Sequence, residues 1–141
     1  MANYDIKPFK GIGNIKFGAT PTEVRKILGE EFKSFKRSPT AAFPCDYFPH
    51  VGVFAYYTAA GTLEAIEFAS PAVPLLDGVN LLSIGLDAAK SLLRGKGGEL
   101  EEDAGTLIAK SIGISLYAPN IKENPNTPCE SILVFADGYY D

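Results

Sequence analysis

The sequence predicts an α+β fold: one domain built on a largely antiparallel sheet, with two short helices packed on one face. Three observations carry this. A capped helical stretch begins at Thr20, a β-hairpin pattern occupies residues 53–68, and the second half of the chain repeats the first half's order of elements. At 141 residues the chain suits a single domain, 1–141, whose one core needs neither disulfides nor a metal. Fourteen Gly and ten Pro point to many turns and few long helices, which excludes coiled coils, helical solenoids and collagen-like fibres.

The first helix has the clearest signal. Thr20 suits the N-cap, Pro21 the first helical position, and Glu23 completes a capping box. Val24, Ile27 and Leu28 form one apolar stripe, and Gly29 is the stop. Before it, residues 12–17 read as a short strand or extended arm. After it, residues 32–38 read as a strand with a basic outer face, and residues 38–49, with Pro39, Pro44 and Pro49, as a loop. The β-branched and aromatic run 53–58, a turn at 59–62 and the alternating run 63–68 make the hairpin. Residues 69–79, with Pro71, Pro74 and Gly78, read as a connection. Asp87 is the N-cap candidate of a second helix striped by Ala89, Leu92 and Leu93 and stopped by Gly95, Gly97 and Gly98. Strand patterns follow at 106–109, 113–117 and 131–135, with a Pro/Asn-rich loop at 119–128. Gly18 with Thr20 parallels Gly85 with Asp87, and residues 52–56 parallel 113–117, so two pseudo-repeats are expected at about 12–70 and 79–136. A two-turn helix buries little by itself, so each must pack on the sheet. The sheet's other face can then stay wet and offer a broad surface to a partner.

Charge is unevenly spread. Residues 1–40 carry eight Lys/Arg and four Asp/Glu; residues 41–141 carry five and thirteen. An acidic body opposes binding to a phosphate backbone and suits a basic protein partner. No apolar run reaches membrane-spanning length, and the N-terminal residues have no basic region leading into an apolar stretch, so a cytoplasmic protein is expected. Cys45 and Cys129 are then read as two reduced, partly buried thiols.

Chemistry-bearing residues are few. His50 is the single histidine, which excludes a two-histidine metal site, and neither metal nor cofactor is expected. As a general base it needs an orienting carboxylate, for which Asp46 is available, or Cys45 as a nucleophile; an exposed loop histidine is the simpler reading. Glu99, Glu101, Glu102 and Asp103 lack the spacing of a calcium loop and read either as a solvated turn or as a docking site for cations. Seven Tyr and nine Phe occur without Trp, and one of Tyr56 and Tyr57 should face away from the core. Tyrosines beside carboxylates suit protein recognition. The candidate contacts are Asp46, Tyr47, Tyr57, Glu101, Glu102, Asp103 and Tyr140.

The run from Pro8 to Gly18 and on through Glu23 to Gly29, with residues 113–120, 130–135 and Gly138-Tyr139-Tyr140, resembles a family of small cytoplasmic bacterial proteins. Its members look like immunity proteins of polymorphic or contact-dependent-inhibition toxin systems. The repeated layout is also similar to the β-lactamase-inhibitor-protein fold and to small outer-membrane assembly lipoproteins, although no lipidation signal is seen. The resemblance implies no catalytic residues. It implies a non-enzymatic inhibitor that binds a cognate toxin's C-terminal domain; the acidic body of the chain suits a basic, nuclease-type toxin, and a monomer is expected. The alternative is a self-associating structural or small-ligand module.

Overall fold

The computed structural model describes residues 3–29, 31–36, 38–40, 43–119, 124 and 126–140. In chain order they form β1 (Asn3–Lys7), β2 (Gly11–Ile12), β3 (Ile15–Lys16), α1 (Pro21–Leu28), β4 (Lys33–Phe35), β5 (Cys45–Phe48), β6 (Val53–Tyr57) and β7 (Leu63–Phe68). The second half adds β8 (Val73–Leu76), β9 (Val79–Asn80), α2 (Leu86–Gly95), β10 (Leu100–Asp103), β11 (Thr106–Ala109), β12 (Ile114–Tyr117) and β13 (Ser131–Phe135). The fold is α+β in one domain, with antiparallel pairing dominant.

The predicted α1 forms with its capping box. Thr20 Oγ1 accepts from the Glu23 amide at 3.3 Å while Glu23 Oε1 accepts from the Thr20 amide at 3.4 Å, satisfying two donors at the helix start. Val24 is buried and Leu28 packs on the core, but Ile27 is exposed, so the apolar stripe is narrower than its spacing suggests. α2 departs from expectation at its cap. Gly85, not Asp87, is the N-cap, and no side chain bonds the helix end. A Cβ at residue 85 would lie 2.7 Å from the Asn126 carbonyl oxygen, so the close approach admits only glycine. Asp87 sits in the first turn, where its charge suits the helix dipole.

The expected single sheet is two. The larger has the order β10-β11-β12-β13-β7-β6-β5-β4, all antiparallel, and the smaller the order β3-β2-β1-β8-β9. β1 and β8 pair in parallel, Tyr4 opposite Pro74. Three strands lie in stretches read as loop, connection or turn: β5 between two prolines, β8 around Pro74, and β10 in the acidic run. The expected loop at 119–128 lies partly outside the described residues.

Each helix is followed by a four-stranded meander, β4 to β7 and β10 to β13, and the two meanders join where β7 pairs with β13. Their central turns match. Phe48 O accepts from the Val51 and Gly52 amides at 3.2 and 3.0 Å, and Ala109 O from the Ile112 and Gly113 amides at the same two distances. Gly52 O then accepts from the Ala69 amide at 2.8 Å and Gly113 O from the Phe135 amide at 2.9 Å.

Alternation along the strands divides the large sheet. On its inner face Phe48, Val53, Ala55, Ile66, Phe68, Ile114, Leu116, Ile132 and Val134 share one core with the buried helix residues Val24, Leu86, Ala89 and Leu93 and with the small sheet. The opposite face has its own small cluster of Cys45, Tyr56, Ala65 and Phe135, to which no helix residue belongs among the described residues. Both helices therefore lie on one face and leave the other open. Among the described residues no helix is long and apolar enough to cross a membrane.

Candidate functional site

The open face is laid out by strand register. One cross-strand row passes through every strand of the large sheet: Glu101, Ile108, Ser115, Leu133, Glu67, Phe54, Tyr47 and Lys33. A second row carries Asp103, Thr106, Tyr117 and Ser131. The surface thus runs from an acidic edge on β10 to a basic edge on β4.

Between the edges lies an aromatic belt. Tyr47 stacks on Phe54 with ring centroids 4.3 Å apart and planes 20° from parallel, and Phe54 stacks on Tyr56 at 6.3 Å. Phe35 meets Phe54 edge-on at 6.4 Å. Near β13 the chain turns back, so that Tyr139 and Tyr140 pack on Phe135 at 5.5 and 4.9 Å. Offset and edge contacts of this kind hold rings in fixed orientations. Tyr117, Phe35 and Tyr140 are the exposed aromatics of the molecule. A cleft of about 220 Å³ opens between the two aromatic groups, lined by residues that include Tyr56, Glu67, Ser115, Tyr117, Leu133 and Tyr140. The Tyr56 hydroxyl donates to Glu67 Oε1 at 2.5 Å.

The predicted contact residues divide between the faces. Tyr47 and Tyr140 lie on the open face, and Glu101 and Asp103 lie exposed at its acidic edge. Glu102 is exposed on the same strand but alternates to the inner side, opposite Leu107. Lys110 is 3.4 Å from Glu101, both half-exposed or more, a pair too solvated to neutralise the edge.

Asp46 and Tyr57 are corrected by the structure. Both point inward. Asp46 is fully buried and accepts from Arg25 Nε at 2.9 Å, Arg25 Nη2 at 3.0 Å, Ser34 Oγ at 2.5 Å and Tyr57 OH at 2.9 Å. The paired Arg25 guanidinium stacks over Phe32, 4.2 Å from the ring centre. The hydrogen bond to Asp46 first, and its charge, hold the guanidinium proton more tightly than usual against the opposing effect of partial burial. Burial above all, then the Asp46 charge and hydrogen bond, push the Tyr57 hydroxyl far above its ordinary range. These groups tie α1 and β4 to the sheet, and Asp46 and Tyr57 themselves are buried away from solvent. A β-bulge between Tyr56 and Tyr57 accompanies the outward turn of Tyr56 rather than Tyr57.

His50 and Asp46 are not brought together. His50 is exposed and pairs with the exposed Glu31, while the acceptor capacity of Asp46 is spent on Arg25, Ser34 and Tyr57. Cys45 and Cys129 are buried in different clusters with no disulfide between them, and burial pushes the Cys129 thiol up to about 11. Among the described residues no group of three His, Cys, Asp or Glu side chains gathers to hold a metal ion.

Sequence reasoning missed Phe54, Glu67, Ser115 and Tyr117, and of the pair Tyr56 and Tyr57, one of which is expected to face outward, it chose Tyr57 where the structure turns Tyr56 outward. The alternation of 53–57 separates Phe54 and Tyr56 from Val53, Ala55 and Tyr57, but both sets are apolar, so pattern alone does not say which is inside. Comparison with protein-family models, with curated proteins and with solved structures finds no match for the chain.

Proposed function

We propose that this protein is a binding module of the immunity type: it neutralises a basic, nuclease-type toxin by seating it against the open face of the large sheet. The observation that carries the reading is the helix-free face itself, where a rigid aromatic belt and cleft adjoin the acidic strand β10. Exposed ordered tyrosines bury area at little entropic cost, and the carboxylates of Glu101 and Asp103 steer and orient a cationic surface. A nuclease must hold phosphate and is cationic where it does so, so an acidic inhibitor is complementary to that surface. The cytoplasm is the compartment this reading requires.

The test is to co-express the chain with the polypeptide encoded by the adjoining reading frame, purify both, and assay nucleic-acid cleavage with and without this protein. Stoichiometric complex formation with loss of cleavage supports the reading; separate elution and unimpaired cleavage overturn it. A second reading, self-association, draws on the unequal edges of the sheet. β4 ends one side with exposed Lys33 and nearby Lys36, and β10 ends the other with Glu101, Glu102 and Asp103, so copies would attract head to tail. Light scattering over a concentration series separates the two, since a constant monomer mass removes the second.

A further inference from the structure

We infer that the cleft on the open face is an anchor pocket for a guanidinium group, an arginine side chain presented by the protein partner. The inference rests on the binding-module reading for the partner being a protein; the pocket's chemistry stands on its own geometry.

Ser115 is the key residue. It lies on β12 in the middle of the sheet, 3 % exposed, and its register sends the side chain to the open face, where it lines the cleft. Its hydroxyl oxygen is buried and has no hydrogen-bond partner among the described residues. A buried hydroxyl left without a partner is costly, and such groups are rare in folded chains. A polar group of the cleft's occupant supplies that partner.

The lining defines what that partner is. Glu67, across Leu133 from Ser115 in the same cross-strand row, supplies a carboxylate of which, among the described residues, only Oε1 is engaged, by Tyr56. Among the described residues no lysine, arginine or histidine lines the cleft and Glu67 makes no salt bridge, so its carboxylate repels an anion and attracts a cation. Tyr56, Tyr117 and Tyr140 line the space, and the exposed rings of Tyr117 and Tyr140 give it the aromatic character that suits a cation. Leu133 forms an apolar floor for an aliphatic stem. A guanidinium uses all of these at once: its planar fork donates to a carboxylate and a hydroxyl together while its face stacks on an aromatic ring. An ammonium is a point charge that cannot stack. Arginine seated among tyrosines is also a frequent energetic centre of protein interfaces.

The experiment titrates the isotopically labelled full chain with N-acetyl-arginine amide and follows backbone amide resonances. Saturable shifts centred on Glu67, Ser115, Leu116 and Leu133 are expected, several-fold weaker binding for N-acetyl-lysine amide, and none for the uncharged N-acetyl-citrulline amide. Glu67→Gln keeps a hydrogen-bond acceptor for Tyr56 but removes the charge, and should weaken arginine amide binding about tenfold. Ser115→Ala should weaken it about fivefold while leaving the melting temperature unchanged or higher, because no internal hydrogen bond is lost. Three results overturn the pocket: no saturable shifts, equal shifts from citrulline amide (which leaves a trapped water as the partner of Ser115), or a marked fall in melting temperature for Ser115→Ala. Toxin neutralisation undiminished by Glu67→Gln removes the anchor and leaves the proposed function standing. Failed neutralisation with arginine amide binding intact removes the function and leaves the anchor.

Discussion

Asp46→Ala tests most directly whether the buried carboxylate is a girder or a contact. Four donors converge on its two oxygens, from Arg25 (twice), Ser34 and Tyr57. Removing the acceptor affects them unequally. The Tyr57 hydroxyl is buried and, left without a partner, costs about 1–3 kcal/mol. The Arg25 side chain is 33 % exposed and can turn its guanidinium toward water, and Ser34 is exposed, so these two add little. The small void left by the carboxylate adds roughly 1 kcal/mol. The expected loss is about 3 kcal/mol, or a fall in melting temperature of roughly 10 °C for a chain of this size. Arg25→Met leaves the carboxylate buried without its cation and is expected to cost about 2–3 kcal/mol, below the usual penalty for breaking a buried pair because Arg25 is partly solvated. The double variant Arg25→Met/Asp46→Ala should lose clearly less than the two single losses added together, since no uncompensated charge remains. Urea denaturation followed by circular dichroism measures all three. The reasoning is refuted if Asp46→Ala costs under about 0.5 kcal/mol, within the range of ordinary surface substitutions, or if the single losses simply add.

Three further predictions follow from the structure. Gly52 and Gly113 hold φ of 69° and 72°, and a Cβ there would lie 2.3 Å from Ala69 O and 2.6 Å from Phe135 O. Gly52→Ala and Gly113→Ala should therefore each cost at least about 3 kcal/mol, whereas Gly13→Ala, with φ of 57° and nothing within 4 Å, costs about 1 kcal/mol by the same denaturation assay. Burial raises Cys129 from 9.0 to about 11 and also raises Tyr4 and Tyr57, so the folded state keeps protons that the unfolded chain releases. Stability is then complete below about pH 9 and falls as pH rises, with Cys129 accounting for roughly 2 kcal/mol by pH 11, and Cys129→Ala should flatten the onset of the urea-midpoint decline. Reversing Glu101 and Asp103 to lysine should slow association with a cationic partner about tenfold in 50 mM salt, with the difference vanishing near 1 M and melting unchanged, as stopped-flow and thermal scans would show.

Local signals in the sequence were strong where the physics is local. Thr20, Pro21 and Glu23 announce α1 because a capping box involves only neighbours, and the hairpin of β6 and β7 is legible from alternation and a short turn. β5, β8 and β10 are not: β8 is a strand through its pairing with distant β1, while β5 and β10 sit in neighbouring hairpins whose flanking prolines and acidic run hide the strand pattern. Phe48 lies against Val53, Tyr4 against Pro74 and Glu102 against Leu107, and these partners outweigh proline and acidic composition. The site follows the same division. Tyr47, Glu101, Asp103 and Tyr140 could be named from residue type and exposure. Asp46 and Tyr57 were misplaced because their inward orientation depends on the pairing of Asp46 with Ala55 and of Tyr57 with Leu63 across a bulge. The cleft around Ser115 was invisible because it exists only once β12, β13 and β7 are aligned.

The junction of the two meanders also governs how the chain can be assembled. β7 holds one neighbour, β6, from its own hairpin, but its other flank waits for β13, with Ile66 finding Val134 and Phe68 finding Ile132. During synthesis the first meander must therefore persist with an unsatisfied apolar border while the second is still being made. That delay makes the interval before residues 131–135 emerge the period of greatest exposure to misassociation. Deleting those five residues would split the sheet through its middle rather than trim its margin.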